Sequence, residues 1–144
     1  MHVERSFTVT RPIEEVFAYF GDFTHTEAWD PGTVSTTRTG GDGGLGTTYA
    51  NTSEFMGRRV ELTYETITYD RPVRVQFRGK NKSATATDSM TFSPSSPAGS
   101  GTSIHYRADF DFGFLGNLVV PLVIRRKLDT VADETVAQMK RALA

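Results

Sequence analysis

The chain contains no cysteine. Disulfide scaffolds, thiolate zinc sites and cysteine nucleophiles are therefore excluded. It also lacks a surplus of either charge: 16 Lys and Arg stand against 17 Asp and Glu, for a formal net charge of -1. That balance removes the simplest electrostatic case for a nucleic acid or an anionic membrane surface as partner. Long apolar runs are missing as well. The longest, Phe114 to Ile124, is too short to span a bilayer and is interrupted by Asn117 and Pro121. No apolar segment follows Met1-His2-Val3-Glu4-Arg5, so neither a signal peptide nor an integral membrane segment is expected, and a cytoplasmic location follows as the default.

Chemical signatures are equally sparse. His2, His25 and His105 are scattered without metal-ligand spacing, and no G-x-S-x-G elbow occurs. Gly41-Asp42-Gly43-Gly44-Leu45-Gly46 matches G-x-G-x-x-G, but a dinucleotide site needs a helix next. The strand-like Thr47-Thr48-Tyr49-Ala50 follows instead, so the glycines read as a turn. Neither a metal nor a cofactor is expected.

What is present is a length of 144 residues, the size of one domain over 1–144, with 38% hydrophobic residues and ten Phe and five Tyr. Val3, Phe7 and Val9 share one side of a first strand, with Arg5 as the exception. A short helix is expected from about Pro12 to Phe20, with Thr10 as its N-cap and Gly21 as its stop. A second helical turn, capped by Asp22 or Thr24, leads to the turn Trp29-Asp30-Pro31-Gly32.

From Thr33 to Phe112 the period is two. Six strands are expected: Thr33 to Thr39, Thr47 to Phe55, Arg59 to Tyr69, a strand carrying Val73, Val75 and Phe77, Ser83 to Phe92, and Thr102 to Phe112. Ser93 to Gly101 reads as a flexible hairpin loop. A long terminal helix carries a stripe of Leu118, Leu122, Leu128, Val131, Thr135, Met139 and Ala142. The order predicts an α+β fold, a curved antiparallel sheet of about seven strands wrapped around that helix. A twisted sheet closed by one helix leaves an apolar cavity between the two.

Polar residues on the inward face are the informative ones. Asn51 and Ser53 lie between Tyr49 and Phe55, and Asp88 shares its face with Ala86, Met90 and Phe92. Such groups need partners or a pocket, unless a bulge turns Asp88 outward. His105 falls on the polar side of its strand. Arg74, Arg78, Lys80 and Lys82 share one strand face, which reads as a solvated surface or as the contact of a protein-interaction module.

Several segments resemble the polyketide cyclase/dehydrase and lipid-transport family of the START-like (SRPBCC) superfamily. They are Phe7-Thr8-Val9, Pro12 through Phe20, Asp22-Phe23, Trp29-Asp30-Pro31-Gly32, Gly44-Leu45-Gly46-Thr47, Tyr106 through Phe110 and the final helix. The resemblance covers essentially the whole chain and implies a helix-grip fold with a deep cavity for a hydrophobic or amphipathic ligand. It carries over no catalytic residue, because the family shares no catalytic motif. The expected function is binding of a small hydrophobic or aromatic ligand, lipid or polyketide-like. Tyr49, Phe55, Tyr64, Phe77, Met90, Tyr106, Phe110 and Leu122 would form its walls, and Asn51 and Ser53 would orient it. Trp29 would lie near the mouth with its N–H paired, or be a plain packing anchor. The alternative is an aromatase/cyclase in which Asp88 is the acid/base, Tyr64 or Tyr106 the donor and Asn51 the oxyanion partner. The sequence leaves monomer and homodimer equally open.

Overall fold

A computed structural model describes residues 1–95, 100–113 and 121–144, with the side chains of the last helix described from Val123 onward. The expected order is observed. Strand β1 (His2–Val9) leads into α1 (Ile13–Phe20), a 3-10 turn (Phe23–His25) and α2 (Thr26–Trp29). Six strands follow: β2 (Thr33–Gly40), β3 (Thr48–Phe55), β4 (Arg58–Asp70), β5 (Arg74–Lys80), β6 (Thr85–Pro94) and β7 (Thr102–Asp111). The long helix α3 (Pro121–Ala142) closes the chain. The strands form one antiparallel sheet in the order β1-β7-β6-β5-β4-β3-β2. Successive hairpins account for β2 to β7. Only β1 crosses the chain's length to pair with β7, and α3 lies against β1 and α2. This is the helix-grip arrangement.

Local chemistry explains the ends of the elements. The Asp22 carboxylate accepts from Thr24 N–H at 3.0 Å, capping the 3-10 turn as expected. Thr10 is not the cap of α1. Pro12 holds that position with extended backbone and no side-chain bond. Asn81 turns β5 into β6 by accepting from the N–H groups of Ser83 and Ala84, both at 2.8 Å. The glycine-rich segment is the β2–β3 turn. Gly41 has φ +89°, and a Cβ there would lie 2.7 Å from Thr47, so only glycine fits. Thr47 Oγ1 accepts from Gly43 N–H across the same turn.

Four features depart from the alternation read in the sequence. A register shift between Thr66 and Thr68 lets β4 switch parity, so that Thr66 and Tyr69 both face inward. Tyr69 then meets Phe17 edge-on at 5.1 Å. Val73 lies outside β5 and is 47% exposed, because the Asp70 carbonyl takes its N–H in the preceding turn. Ser93 and Pro94 belong to β6, paired with Ser103 and Thr102, rather than to the loop. The rest of that expected loop, 96–99, lies outside the described residues. Finally, the buried stripe of α3 is Ile124, Leu128, Ala132, Thr135 and Met139, continued by Leu143 one residue past the helix. Val131 and Ala142 are flanks, only half-buried. Leu118 and the side chain of Leu122 are outside the described residues.

Arg5, the exception in β1, does lie on the inward side with Val3 and Phe7. It reaches α3, where Nε meets Asp133 Oδ1 at 2.9 Å and Nη2 meets Asp129 Oδ1 at 3.5 Å. A cation among apolar neighbours thus pins the strand to the helix that covers it.

Candidate functional site

The inward face of the sheet has two ends of different character. At one, α1, the 3-10 turn and α2 press aromatic side chains into the sheet. Phe17, Phe20, Phe23, Trp29, Tyr49, Phe77 and Met90 are each at most 1% exposed. Phe23 sits 4.4 Å from the Tyr64 ring and 4.5 Å from Phe77, and Phe20 is 5.9 Å from Trp29. Complete burial of each such side chain is worth roughly 1.5–3 kcal/mol, which makes this end the stabilising core. Toward the other end, Ser53, Phe55, Val60, Leu62, Ala86 and Phe110 face inward but are only half-buried. Register brings them together: Ser53 pairs with Val60, Asn51 with Leu62, and Ala86 with Phe110.

Asp88 stands at the boundary. Its cross-strand neighbours, Phe77 on β5 and Ala108 on β7, are both buried on the inward face. No bulge turns it out. Its half-buried carboxyl accepts from the Tyr106 hydroxyl at 2.8 Å through Oδ1. Burial pushes the Asp88 carboxyl up to about 7, and the negative charge of Asp30 adds to the effect, while the Tyr106 bond opposes it. Asp30 itself is raised by burial, against the N–H of Gly32 and the hydroxyl of Thr33 that its two oxygens accept. Tyr106 and Tyr64 are both pushed well above the ordinary phenol range, first by burial and then by Asp88 and Asp30. Two acids and two phenols therefore share one low-dielectric region.

Gly79 makes room for this arrangement. It pairs with Tyr64 across β4 and β5, and a Cβ at Gly79 would lie 2.5 Å from the Tyr64 ring. The ring lies flat on the glycine. An isolated glycine within a strand was the available signal for such a close approach.

The expected site residues separate into three groups. Asp88, Tyr106 and Tyr64 come together, with Phe77 and Met90 as buried neighbours in register. Ser53, Phe55 and Phe110 line the less buried end. Asn51 is not available to orient a ligand or hold an oxyanion. Its amide nitrogen donates to Thr36 Oγ1 at 2.9 Å and to Thr33 Oγ1 at 3.4 Å, and its carbonyl accepts from Ser53 Oγ at 2.6 Å. Thr36 in turn meets Thr26 at 2.7 Å, so this polar chain ties β2 and β3 to α2. Trp29 is not at a mouth: it is 1% exposed, with its ring 6.0 Å from Tyr106. Its Nε1–H has no hydrogen-bond partner among the described residues. Tyr49 is likewise fully buried, in the packed end. The Leu122 side chain lies outside the described residues.

The outer face of the sheet is polar. His105 is exposed there, bonded to Ser6 at 2.8 Å and Glu4 at 3.2 Å. Arg74, Gln76, Ser89, Thr91, His105, Arg107 and Asp109 line an open depression of about 440 Å³. Its Arg107 is spent on Asp109, with bonds of 2.8 and 2.9 Å. Arg74 and Lys80 are exposed on that face, Arg78 is half-buried, and Lys82 lies in the following turn. Among the described residues no cluster of three or more His, Asp or Glu side chains could hold a metal ion. No described helix is long and apolar enough to cross a membrane.

The fold has solved counterparts. A protein of Thermus thermophilus superposes with a TM-score of 0.80 at 14% identity, over 99% of this chain and 97% of that one. A START superfamily protein from Mycobacterium smegmatis gives 0.78 at 14% identity, over 99% and 96%. The Zhui aromatase/cyclase from Streptomyces sp. R1128 gives 0.72 at 17% identity, over 99% and 90%. Identities this low speak for shared architecture alone. No curated protein matches the chain in sequence. The model of the family described as polyketide cyclase/dehydrase and lipid transport matches residues 1–144, from the first strand to the end of the last helix, and the chain belongs to that family.

Proposed function

We propose that the protein binds a small, largely apolar or aromatic ligand against the inward face of β3 to β7, with the ligand's polar end at the Asp88–Tyr106 pair. One observation carries the reading. Asp88 is an acid placed on the interior face between Phe77 and Ala108, bonded through one oxygen to a phenol, with no ion-pair partner among the described residues. A core does not place a lone carboxyl there for stability, since burial of an unpaired acid is costly. A few polar groups on an apolar wall are what a small-molecule site needs. Half-buried Phe55, Leu62 and Phe110 supply such a wall, and membership of a cyclase and lipid-transport family supports the same reading.

The test is native mass spectrometry of the purified protein for a retained small molecule, followed by calorimetric titration with 2-naphthol. Ala86→Phe sets a ring on the half-buried inward face beside Phe110 and should abolish naphthol binding without unfolding the protein. No retained molecule, together with no naphthol binding at millimolar concentration, overturns the reading.

A second reading, an aromatase/cyclase, is favoured by the Asp88 carboxyl near 7 beside a phenol. A group so placed can give or take a proton near neutral pH. Asp88→Asn preserves shape and removes the proton. A cyclase should then lose turnover of a linear polyketide substrate by a factor of about a hundred or more. A carrier has no turnover to lose and keeps its affinity for the same compound within a few-fold.

A further inference from the structure

We infer that this site selects by charge: the group a ligand sets against Asp88 is an uncharged hydrogen-bond donor or a cation, and ligands ending in a carboxylate or phosphate there are refused. The inference rests on the binding reading above and specifies its ligand class. It starts from the free capacity of the site. Asp88 Oδ1 takes the Tyr106 proton, and no bond to Oδ2 is found among the described residues. The phenol of Tyr106 is spent on that bond, and Asn51 is spent on Thr33, Thr36 and Ser53. The Tyr64 hydroxyl, for which no bond is found among the described residues, can give or take a hydrogen bond. Beside it the free capacity at Asp88 is that of an acceptor, and an acceptor calls for a donor.

The charges around the site point the same way. The charges that raise Asp88 are those of Asp30 and, less, Asp109; both are acids, and Asp109 alone is answered, by Arg107 on the outer face. Interior anions are normally answered by a buried cation. Here the chain's 16 Lys and Arg can be located one by one, because 96–99 and 114–122 contain no charged residue in their sequence. The five on α3 are Arg125, Arg126, Lys127, Lys140 and Arg141, all exposed, with Arg125 held by the His2 carbonyl and Asp129. Three of the others share the inward parity of the sheet. Arg5 is held by Asp129 and Asp133 on α3. Arg38 is exposed on β2, four strands from β6, about 19 Å away at the usual strand spacing. Arg58 is exposed at the start of β4, and Thr66 of that strand stands level with Asp88 through Phe77. Eight strand residues separate Arg58 from Thr66, about 26 Å. A ligand of naphthalene size lying at Asp88 reaches neither Arg38 nor Arg58, and Arg5 is already paired. A carboxylate set beside Asp88 would meet like charge in a low-dielectric region where no cation is among the charges that act on Asp88, whereas a hydroxyl or an ammonium finds an acceptor.

The experiment compares three probes of one shape at about pH 8: 2-naphthol, 2-naphthylmethylammonium and 2-naphthoate, titrated by calorimetry into wild type, Asp88→Asn and Arg58→Gln. In the wild type, naphthol and the ammonium should bind at least about tenfold more tightly than naphthoate. Asp88→Asn, which still offers Tyr106 an acceptor, should bring naphthoate to within about threefold of naphthol and weaken the ammonium about tenfold. Arg58→Gln should leave the wild-type ranking unchanged. Equal wild-type affinities for naphthoate and naphthol overturn the charge selection while leaving the binding reading in place. A ranking that persists in Asp88→Asn or collapses in Arg58→Gln assigns the selection elsewhere and overturns it too. If none of the three binds, both readings fail together.

Discussion

The Tyr106 hydroxyl donates to Asp88 Oδ1 at 2.8 Å from the neighbouring strand, diagonally across the β6–β7 ladder, and even so the carboxyl is held up at about 7. A hydrogen bond from a phenol favours the charged acid, so burial must outweigh it. The consequence is a stability term that depends on pH. In the unfolded chain the acid ionises near its ordinary 3.8, in the fold only near 7. Between those values the unfolded state sheds its proton first, so wild-type stability is lost as pH rises and levels off above about 7. Asp88→Asn has no proton to lose. Its stability relative to wild type should climb from about pH 4 to pH 7 by roughly 2–4 kcal/mol. Urea unfolding of both proteins at several pH values reads this directly, and a difference independent of pH contradicts it.

Gly79 offers a steric test of the same region. A methyl group 2.5 Å from the Tyr64 ring cannot be accommodated without moving that ring, which itself packs tilted against Phe23 at 4.4 Å. Gly79→Ala should cost about 1–3 kcal/mol despite the better strand propensity of alanine, and lower Tm by several degrees. Gly79→Ala combined with Tyr64→Leu should recover part of that loss. A single variant with wild-type Tm would mean that the ring does not lie on the glycine.

Trp29 is the sole tryptophan and is fully enclosed, 5.9 Å from Phe20 and 6.0 Å from Tyr106. Its fluorescence should be blue-shifted and insensitive to iodide, which cannot reach a ring of 1% exposure. A ligand bound at Asp88 should alter the emission through Tyr106 without changing iodide access. Efficient quenching of the free protein would place the ring at a mouth after all.

Much of this architecture was legible in the sequence, because period-two alternation reports which face a residue takes and the structure kept that parity in β3, β5, β6 and β7. Asp88 could be put inward from Ala86, Met90 and Phe92 alone. Other features depend on register between distant strands, which periodicity does not carry. Nothing near Asn51 in sequence reveals that Thr33 and Thr36 consume its amide, since the bonds cross from β3 to β2. The bulge in β4 hides the inward position of Tyr69 in the same way. In α3 a small rotation of the apolar stripe buried Ala132 in place of Val131, and at its end Leu143, just past the helix, in place of Ala142. Stripe membership at the edges is decided by what the helix packs on, here β1 and α2, and not by spacing alone.

Arg5 stands out in the sequence as an exception to its strand, and the reason the structure supplies yields the last expectation. Its guanidinium bonds Asp133 at 2.9 Å, the Glu4 carbonyl at 2.8 Å and the Asp129 carbonyl at 3.3 Å. The Asp133 side chain is 72% exposed, that of Arg5 only 29%. Removing the aspartate therefore deletes a solvated partner and leaves the cation its other acceptors. Removing the arginine strips the link between β1 and α3 and the packing of its aliphatic stem. Asp133→Ala should cost no more than about 0.5 kcal/mol, and Arg5→Ala about 1–2 kcal/mol. Salt should discriminate further, because a solvated ion pair is screened while stem packing is not. Raising sodium chloride to about 1 M should erase the Asp133→Ala effect and leave most of the Arg5→Ala effect in place. Equal costs for the two variants, both vanishing in salt, would reduce Arg5 to an ordinary surface pair and remove its role as the pin between strand and helix.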